Sequence, residues 1–254
     1  MTGTRCSQHE RVLILTPVKN AETFLAGYFA GLIKLIYPRE MISLGFLESD
    51  SADDTYAAFE RRLPELRAMF PAVGLWKRDF GYRLPAHLPR WAAPVQIMRR
   101  AVLARSRNHL LFRALGDEEW VLWLDVDVVE YPPDIIERLL ATGKGIVHPN
   151  CVLDYGGRSF DQNAWRGREH TLLSDLRAEG DLVELDAVGG TMLLVRADLH
   201  RDGLIFPPFP YGRRIHPVPP GTLTFETEGL ALMARDMGHR CWGMPNLEVR
   251  HYPA

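Results

Sequence analysis

From Trp120 to Leu124 the chain runs through five apolar residues with no polar alternation, then meets two aspartates, Asp125 and Asp127, one residue apart. Such a run predicts a short central strand buried on both faces, as in the middle of a parallel sheet. If the chain stays extended through the acids, positions i and i+2 share a face and both carboxylates point the same way. Two like charges at the tip of a buried strand are costly unless a cation or strong donors meet them. A hard divalent ion that also holds a substrate diphosphate is the usual chemical solution. Ordinary loop or cap aspartates produce the same short pattern, so the rest of the chain has to decide.

At 254 residues the chain fits one large α/β domain, with residues 1–10 as a loose lead and 11–254 as the folded unit. A formal charge of −2 gives no basic surface for nucleic acid or anionic membrane. No stretch is long and apolar enough for a transmembrane helix, and residues 1–11 are too polar for a secretory signal, so the expected location is cytoplasmic. Cys6, Cys151 and Cys241 lie far apart without Cys-x-x-Cys spacing, which indicates neither zinc nor a disulfide framework.

Arg11-Val-Leu-Ile-Leu-Thr16-Pro17 reads as a first buried strand stopped by proline. Ligands of open α/β sheets bind beyond the carboxyl ends of strands, which places Thr16, Pro17, Lys19 and Asn20 at the edge of a crevice. A simple strand-to-helix turn accounts for Thr16 equally well. Helical spacing then covers about 21–35. A second strand, Ile42 to Leu47, ends in an acidic, hydroxyl-rich loop: Asp50 is placed to take a base or ribose hydroxyl, and Asp53 or Asp54 to cap a helix from about Tyr56 to Met69.

Residues 70–93 read as irregular. From Pro94 a helix to about Leu115 carries Gln96, Arg99, Arg100, Arg105, Arg107 and Asn108. Most of those arginines suit a solvated face, and one or two turned inward could neutralise a diphosphate. Pro132-Pro133 opens a helix to about Thr142, and Ile146-Val147 begins a further strand. Two apolar stretches flank Gly189-Gly190, where the glycines mark either a bulge or a close approach of backbone to ligand. Leu204 to Gly221, rich in proline, reads as a lid or active-site loop. Glu226 and Glu228 lead into a helix from about Leu230 to Met237 that stops at Gly238, and acids in a first helical turn are often only dipole partners. His251 ends a last short strand, and a lone terminal histidine is more often inert than a ligand.

In this order the pieces resemble a GT-A-type nucleotide-sugar glycosyltransferase, and more narrowly the fungal mannan-polymerase α-mannosyltransferases of glycosyltransferase family sixty-two. The resemblance is carried by Val-Leu-Ile-Leu-Thr-Pro at 12–17, Tyr-Pro-Arg-Glu-Met-Ile-Ser-Leu-Gly-Phe-Leu at 37–47, Ser-Asp-Ser at 49–51 and Arg-Asn at 107–108. It continues in Trp-Val-Leu-Trp-Leu-Asp-Val-Asp at 120–127, Asp-Gln-Asn-Ala-Trp at 161–165, the long segment 182–210, Glu-Thr-Glu-Gly at 226–229 and Val-Arg-His at 249–251. It implies a Rossmann-like α/β fold with a mostly parallel central sheet flanked by helices, its nucleotide-binding half at about 11–130 and its acceptor-binding half at about 131–254. It also implies Mn²⁺ (or Mg²⁺) as cofactor, GDP-mannose as donor, a glycan or glycoconjugate acceptor, and transfer with retention of configuration.

By position, the resemblance makes Asp125 and Asp127 metal ligands with His251 as an additional one. It sets Arg107 against the diphosphate, Thr16, Pro17 and Asp50 along the nucleotide pocket, Glu226 and Glu228 near the acceptor, and Gly189 and Gly190 close to the transferred sugar. The fungal proteins carry an N-terminal membrane anchor and work as multi-subunit complexes, whereas no anchor is read in this chain, so a homo-oligomer or a complex with a related transferase are both open. Two other readings remain at this stage: a UDP-sugar as donor, and a non-catalytic nucleotide-sugar-binding subunit.

Overall fold

A computed structural model describes residues 9–83, 92–212 and 224–253. The chain alternates β1 (Val12–Val18), α1 (Leu25–Lys34), β2 (Ile42–Glu48), α2 (Thr55–Met69), β3 (Ala72–Lys77) and α3 (Ala93–Ala114). Next come β4 (Trp120–Leu124), β5 (Val128–Glu130), α4 (Ile135–Ala141) and β6 (Ile146–Val152), then β7 (Trp165–Arg166) and β8 (Thr171–Leu172). The chain ends with β9 (Val183–Leu185), β10 (Met192–Arg196), α5 (Ala197–Arg201), α6 (Glu226–Asp236) and β11 (Cys241–His251). The main sheet has the order β3-β2-β1-β4-β10-β6-β11-β5, with β9 paired to β11. It is parallel from β3 through β4. β10 then enters antiparallel between β4 and β6, while β6 and β11 are parallel.

β1 and β4 are buried on both faces, as their unbroken apolar runs predict. Val12, Ile14, Leu122 and Leu124 join a core with Phe29 of α1, Phe59 of α2 and Ile135 of α4. Leu13, Leu15, Val121 and Trp123 face the other way, against Leu110 of α3, Leu199 of α5 and Leu230 of α6. Tyr28, Phe29, Phe46 and Phe59 meet edge to face or tilted across the first core. Among the described residues, no helix is long and apolar enough to cross a membrane.

Several sequence expectations shift. β1 continues through Pro17 to Val18 instead of stopping at proline. Its pairing with β4 ends at Leu15, while pairing with β2 runs to Val18, so the proline lies where one flank has no neighbouring strand to serve. The stretch 70–93 contains the edge strand β3, half-exposed and without clean alternation, which is why no strand signal stood out. The final strand is long, eleven residues, with its pairing to β6 interrupted between Met244 and Glu248. Residues 9 and 10 of the expected loose lead are exposed but tied to Tyr37: its hydroxyl donates to the Glu10 carbonyl at 2.6 Å and His9 meets its ring edge-on. The remainder of that lead, and residues 213–221 of the expected lid, lie outside the described residues.

Trp123 links the central strand to α5 through a buried histidine. His200 Nδ1 donates to the Leu204 carbonyl (2.6 Å), leaving Nε2 to accept the Trp123 indole N–H (3.3 Å). Both nitrogens are committed to a neutral ring, and burial lowers the His200 pKa from 6.5 to about 4. A depressed histidine contributes stability that is present above pH 6.5 and lost as pH falls through about 4. Urea unfolding should therefore show the wild type losing about 3 kcal/mol more than His200→Gln between pH 7 and pH 4.

Candidate active site

The site lies beyond the carboxyl ends of β1 and β4, where open α/β sheets place ligands. Two adjoining cavities open there. One, of about 380 Å³, is lined by Arg100, Arg107, Asp125, Asp127, Asp161, Gly190, Glu226 and His251 among others. The other, of about 360 Å³, lies toward β1 and is lined by Pro17, Lys19, Asn20, Ser49, Tyr82 and Ser106 among others. Arg99, Leu103 and Asp127 border both. α3 runs along the pair with two stripes at helical spacing: 96, 99, 100, 103 and 107 toward the first cavity, and 99, 102, 103 and 106 toward the second.

Asp125 and Asp127 do not continue the strand. β4 ends at Leu124, and a tight turn closed by the Val128 N–H on the Asp125 carbonyl (3.2 Å) carries both acids to the cavity. The shared direction expected from strand alternation is thus produced by a turn, with Val126 buried in the core between them. Burial raises the Asp125 pKa to about 7; Arg107 and His251 oppose the rise, and Asp127 and Asp161 add to it. The carboxylate nevertheless keeps 27% of its side chain open.

His251 Nε2 lies 3.1 Å from Asp127 Oδ1, and its Nδ1 lies 2.6 Å from the Tyr252 carbonyl oxygen. A carbonyl only accepts, so Nδ1 carries a proton. Nε2 and the carboxylate oxygen can then approach each other only with a cation, either a proton or a metal ion, between them. Burial disfavours the imidazolium, but the hydrogen bond and charge of Asp127 outweigh it and raise the His251 pKa. Phe160 stacks on the imidazole at 4.0 Å and fixes its plane.

Arg107 is 1% exposed. Its Nη2 donates to Asp125 Oδ1 (3.1 Å) and to the Gly190 carbonyl (3.2 Å), and its Nε lies 3.3 Å from Glu226 Oε1. The faces of Trp123 and Phe206 flank it. Arg100, also buried, donates to Glu228 (3.0 Å) and Glu226 (3.2 Å). The two inward-turned arginines therefore pair with carboxylates, and the glutamates of α6 are ion-pair partners as well as helix-start acids. Asn108 anchors the neighbouring segment by exchanging two hydrogen bonds with the Phe206 backbone.

The other expected positions are placed unevenly. Pro17 lines the cavity near β1, whereas Thr16 is buried with its hydroxyl on Tyr28 (2.6 Å), on the core side of the strand. Asp50 accepts the backbone N–H groups of Phe80 and Gly81 (3.0 and 2.9 Å), so its carboxylate holds the loop after β3. Asp53 accepts from the Thr55 N–H and hydroxyl at the start of α2; Asp54 occupies the cap position without a side-chain bond.

Gly189 and Gly190 are required by packing. A Cβ on Gly189 would fall 1.9 Å from Asp161, and one on Gly190 would fall 2.4 Å from Arg107. Gly190 lines the cavity. Asp161 is the residue that sequence reasoning left without a role. It accepts from Gly190 N, Thr191 N, the Thr191 hydroxyl, and Asn163 N and Nδ2, with His148 Nε2 at 3.5 Å. Burial opposes its charge, but His148 and these donors hold its carboxyl far below the usual range. Nothing in Asp-Gln-Asn-Ala-Trp at 161–165 announces a partner thirty residues away.

The family model described as Anp1 matches residues 1–179 and 169–210. The mannan polymerase complex subunit MNN9 of Candida albicans is 32% identical over 97% of this chain and 76% of its own length. The mannan polymerase II complex anp1 subunit of Schizosaccharomyces pombe is 30% identical over 96% of this chain and 64% of its own length. Among solved structures, the mannosyltransferase PcManGT of Pyrobaculum calidifontis, in complex with GDP-Man and Mn²⁺, superposes with a TM-score of 0.60 at 16% identity. That match covers 96% of this chain and 57% of the other. GalNAc-T7 with UDP, GalNAc and Mn²⁺ also reaches 0.60, at 12% identity, over 96% of this chain and 44% of the other. These superpositions establish the GT-A fold.

Two outcomes test the packing and charge of the site. Gly189→Ala should cost at least about 1–3 kcal/mol in urea unfolding, because Asp161 is held by too many donors to step aside. Asp125→Asn, in protein freed of divalent cations, should melt higher than wild type at pH 8. A raised carboxyl pKa means ionisation opposes folding above about pH 7, so the difference should shrink as pH falls below that value.

Proposed function

This chain belongs to the Anp1 family, glycosyltransferases of the mannan-polymerase type, and from that premise we propose that it is a metal-dependent retaining α-mannosyltransferase. The donor in this reading is GDP-mannose, and the acceptor is a glycan or glycoconjugate. The observation that carries it is that Asp125, Asp127 and His251, two carboxylates and an imidazole, line one cavity beyond the strand ends.

Two carboxylates and one imidazole are a donor set suited to Mn²⁺. Among the described residues, no three such side chains close on one point as they stand. Asp125 is drawn to Arg107 and Asp127 to His251, so Asp125, Asp127 and His251 would hold the ion by releasing those contacts. When bound, the ion supplies positive charge to the leaving diphosphate as the bond from sugar to phosphate breaks.

The remaining work falls to the protein's own groups. Arg107 holds Asp125 and the Gly190 carbonyl in register, so the acid faces the cavity in one orientation. Asp161 holds the Gly190–Thr191 backbone from the opposite side. Arg100 locks Glu226 and Glu228 at the start of α6, beside the cavity that would receive the sugar and acceptor. The cavity near β1, with its larger apolar share, suits the nucleoside, and the arrangement leaves Asp127 and Arg99 where a diphosphate would cross between the two. Relatives named as complex subunits support assembly with a second copy or a related transferase.

The experiment is a transfer and donor-hydrolysis assay on the purified chain, with GDP-mannose and UDP-sugars, with Mn²⁺ or EDTA. GDP-mannose should turn over only with the metal present, and Asp127→Ala should lower kcat/KM by roughly 10²–10³-fold. Turnover unaffected by EDTA would overturn the metal role. A preference for a UDP-sugar would overturn the donor, and a well-folded chain inert toward every donor would favour the non-catalytic subunit.

A further inference from the structure

The cavity beside β1 contains polar groups that the fold leaves unpartnered. Ser106, on the stripe of α3 that faces this cavity, is 3% exposed, and its hydroxyl has no hydrogen-bond partner. A helical serine commonly returns its hydroxyl to the carbonyl one turn earlier, and here it does not. The Tyr82 hydroxyl, on a residue that lines the same cavity, is likewise buried and unpartnered. Tyr82 is held in place from elsewhere: Lys19 Nζ donates to its carbonyl at 2.6 Å and sits 5.2 Å from its ring centroid. Asp50 ties down the two residues before it.

Buried hydroxyls without partners cost folding free energy, so two in one cavity, on separately anchored elements, call for a ligand that pairs them. The walls between them are apolar, with Phe24, Val102 and Val126 contributing. Apolar walls with a few polar groups suit the flat faces and polar edges of a nucleoside. A serine hydroxyl also turns on a single side-chain torsion, so it can be presented to an arriving ligand without moving the helix.

We propose that the Ser106 and Tyr82 hydroxyls hydrogen-bond the nucleoside of the donor and set how tightly the nucleotide is held. This rests on the nucleotide-sugar reading above and extends it to two residues outside the metal site and outside the sequence motifs.

The test uses the full chain as wild type, Ser106→Ala and Tyr82→Phe. Each is titrated calorimetrically with GDP, UDP and inorganic pyrophosphate in Mn²⁺ buffer, and melted without ligand. Each variant should bind the preferred nucleotide about tenfold more weakly, the loss of one hydrogen bond to a buried donor or acceptor. Pyrophosphate affinity should stay within about twofold, since it lacks the nucleoside that the hydroxyls would pair. The ligand-free variants should melt at or above the wild-type temperature, because each removes an unsatisfied buried group. A variant with unchanged nucleotide affinity removes its residue from the assignment. An equal loss toward pyrophosphate, or a lower melting temperature, makes that residue structural and overturns its role. Wild type binding neither nucleotide would bring down the donor reading and this inference together; wild type binding one while both variants match it would bring down only the inference.

Discussion

Arg107 is a guanidinium sealed among four parts of the chain. A buried arginine cannot shed its proton, so its charge must be answered locally. The answer comes from Asp125 after the central strand, Glu226 at the start of α6 and the Gly190 carbonyl before β10, while Trp123 and Phe206 press on its faces. Removing Arg107 from such a cluster, which takes a cation away from the buried Glu226, typically costs about 3–5 kcal/mol. The same contacts that keep α3, β4, β10 and α6 together therefore hold the carboxylate that faces the cavity. Stability and site geometry share their supports.

Around this centre acids and cations line one cavity together. Asp125, Asp127 and Asp161 lie near one another, and Arg107 and His251 are the opposing groups that act on Asp125. The backbone is also strained there. Thr224 and Glu226 at the entrance to α6, and Asn20 and Asp50 beside the other cavity, have φ between 49° and 59°, a region that non-glycine residues seldom occupy. Such conformations persist only where surrounding contacts over-determine them, and at a binding site they keep side chains aimed at a ligand. Glu226 illustrates the point, since two arginines hold it across the strained backbone.

Much of the fold was legible because its strongest elements carry unmixed signals. β1 and β4 are unbroken apolar runs, α3 is a long helix opened by a proline, and Asp125-Val-Asp127 stands at a strand end as expected. Weaker elements escaped. β3 is an edge strand whose half-exposed side chains give no period, and β5 is three residues long. Within the site, the Asp-x-Asp and the acids of α6 were nameable from local pattern and family resemblance. Asp161 was not, because what distinguishes it is a ring of donors supplied mainly by Gly190 and Thr191. From local pattern Arg107 is one of several arginines on a helix, and packing is what sets it and Arg100 apart from exposed Arg105 and Arg113.

The sequence by itself determined the elements, the α/β class and the chemical types gathered at the strand ends, since those follow from local periodicity and from residues whose charge admits few uses. Tertiary structure alone decided which way each polar group faces. Thr16 turns into the core and Asp50 toward its own loop, Arg107 is enclosed by acids, and His251 arrives beside Asp127 from the far end of the chain. Direction is set by contacts between segments distant in sequence, and no local pattern encodes those contacts.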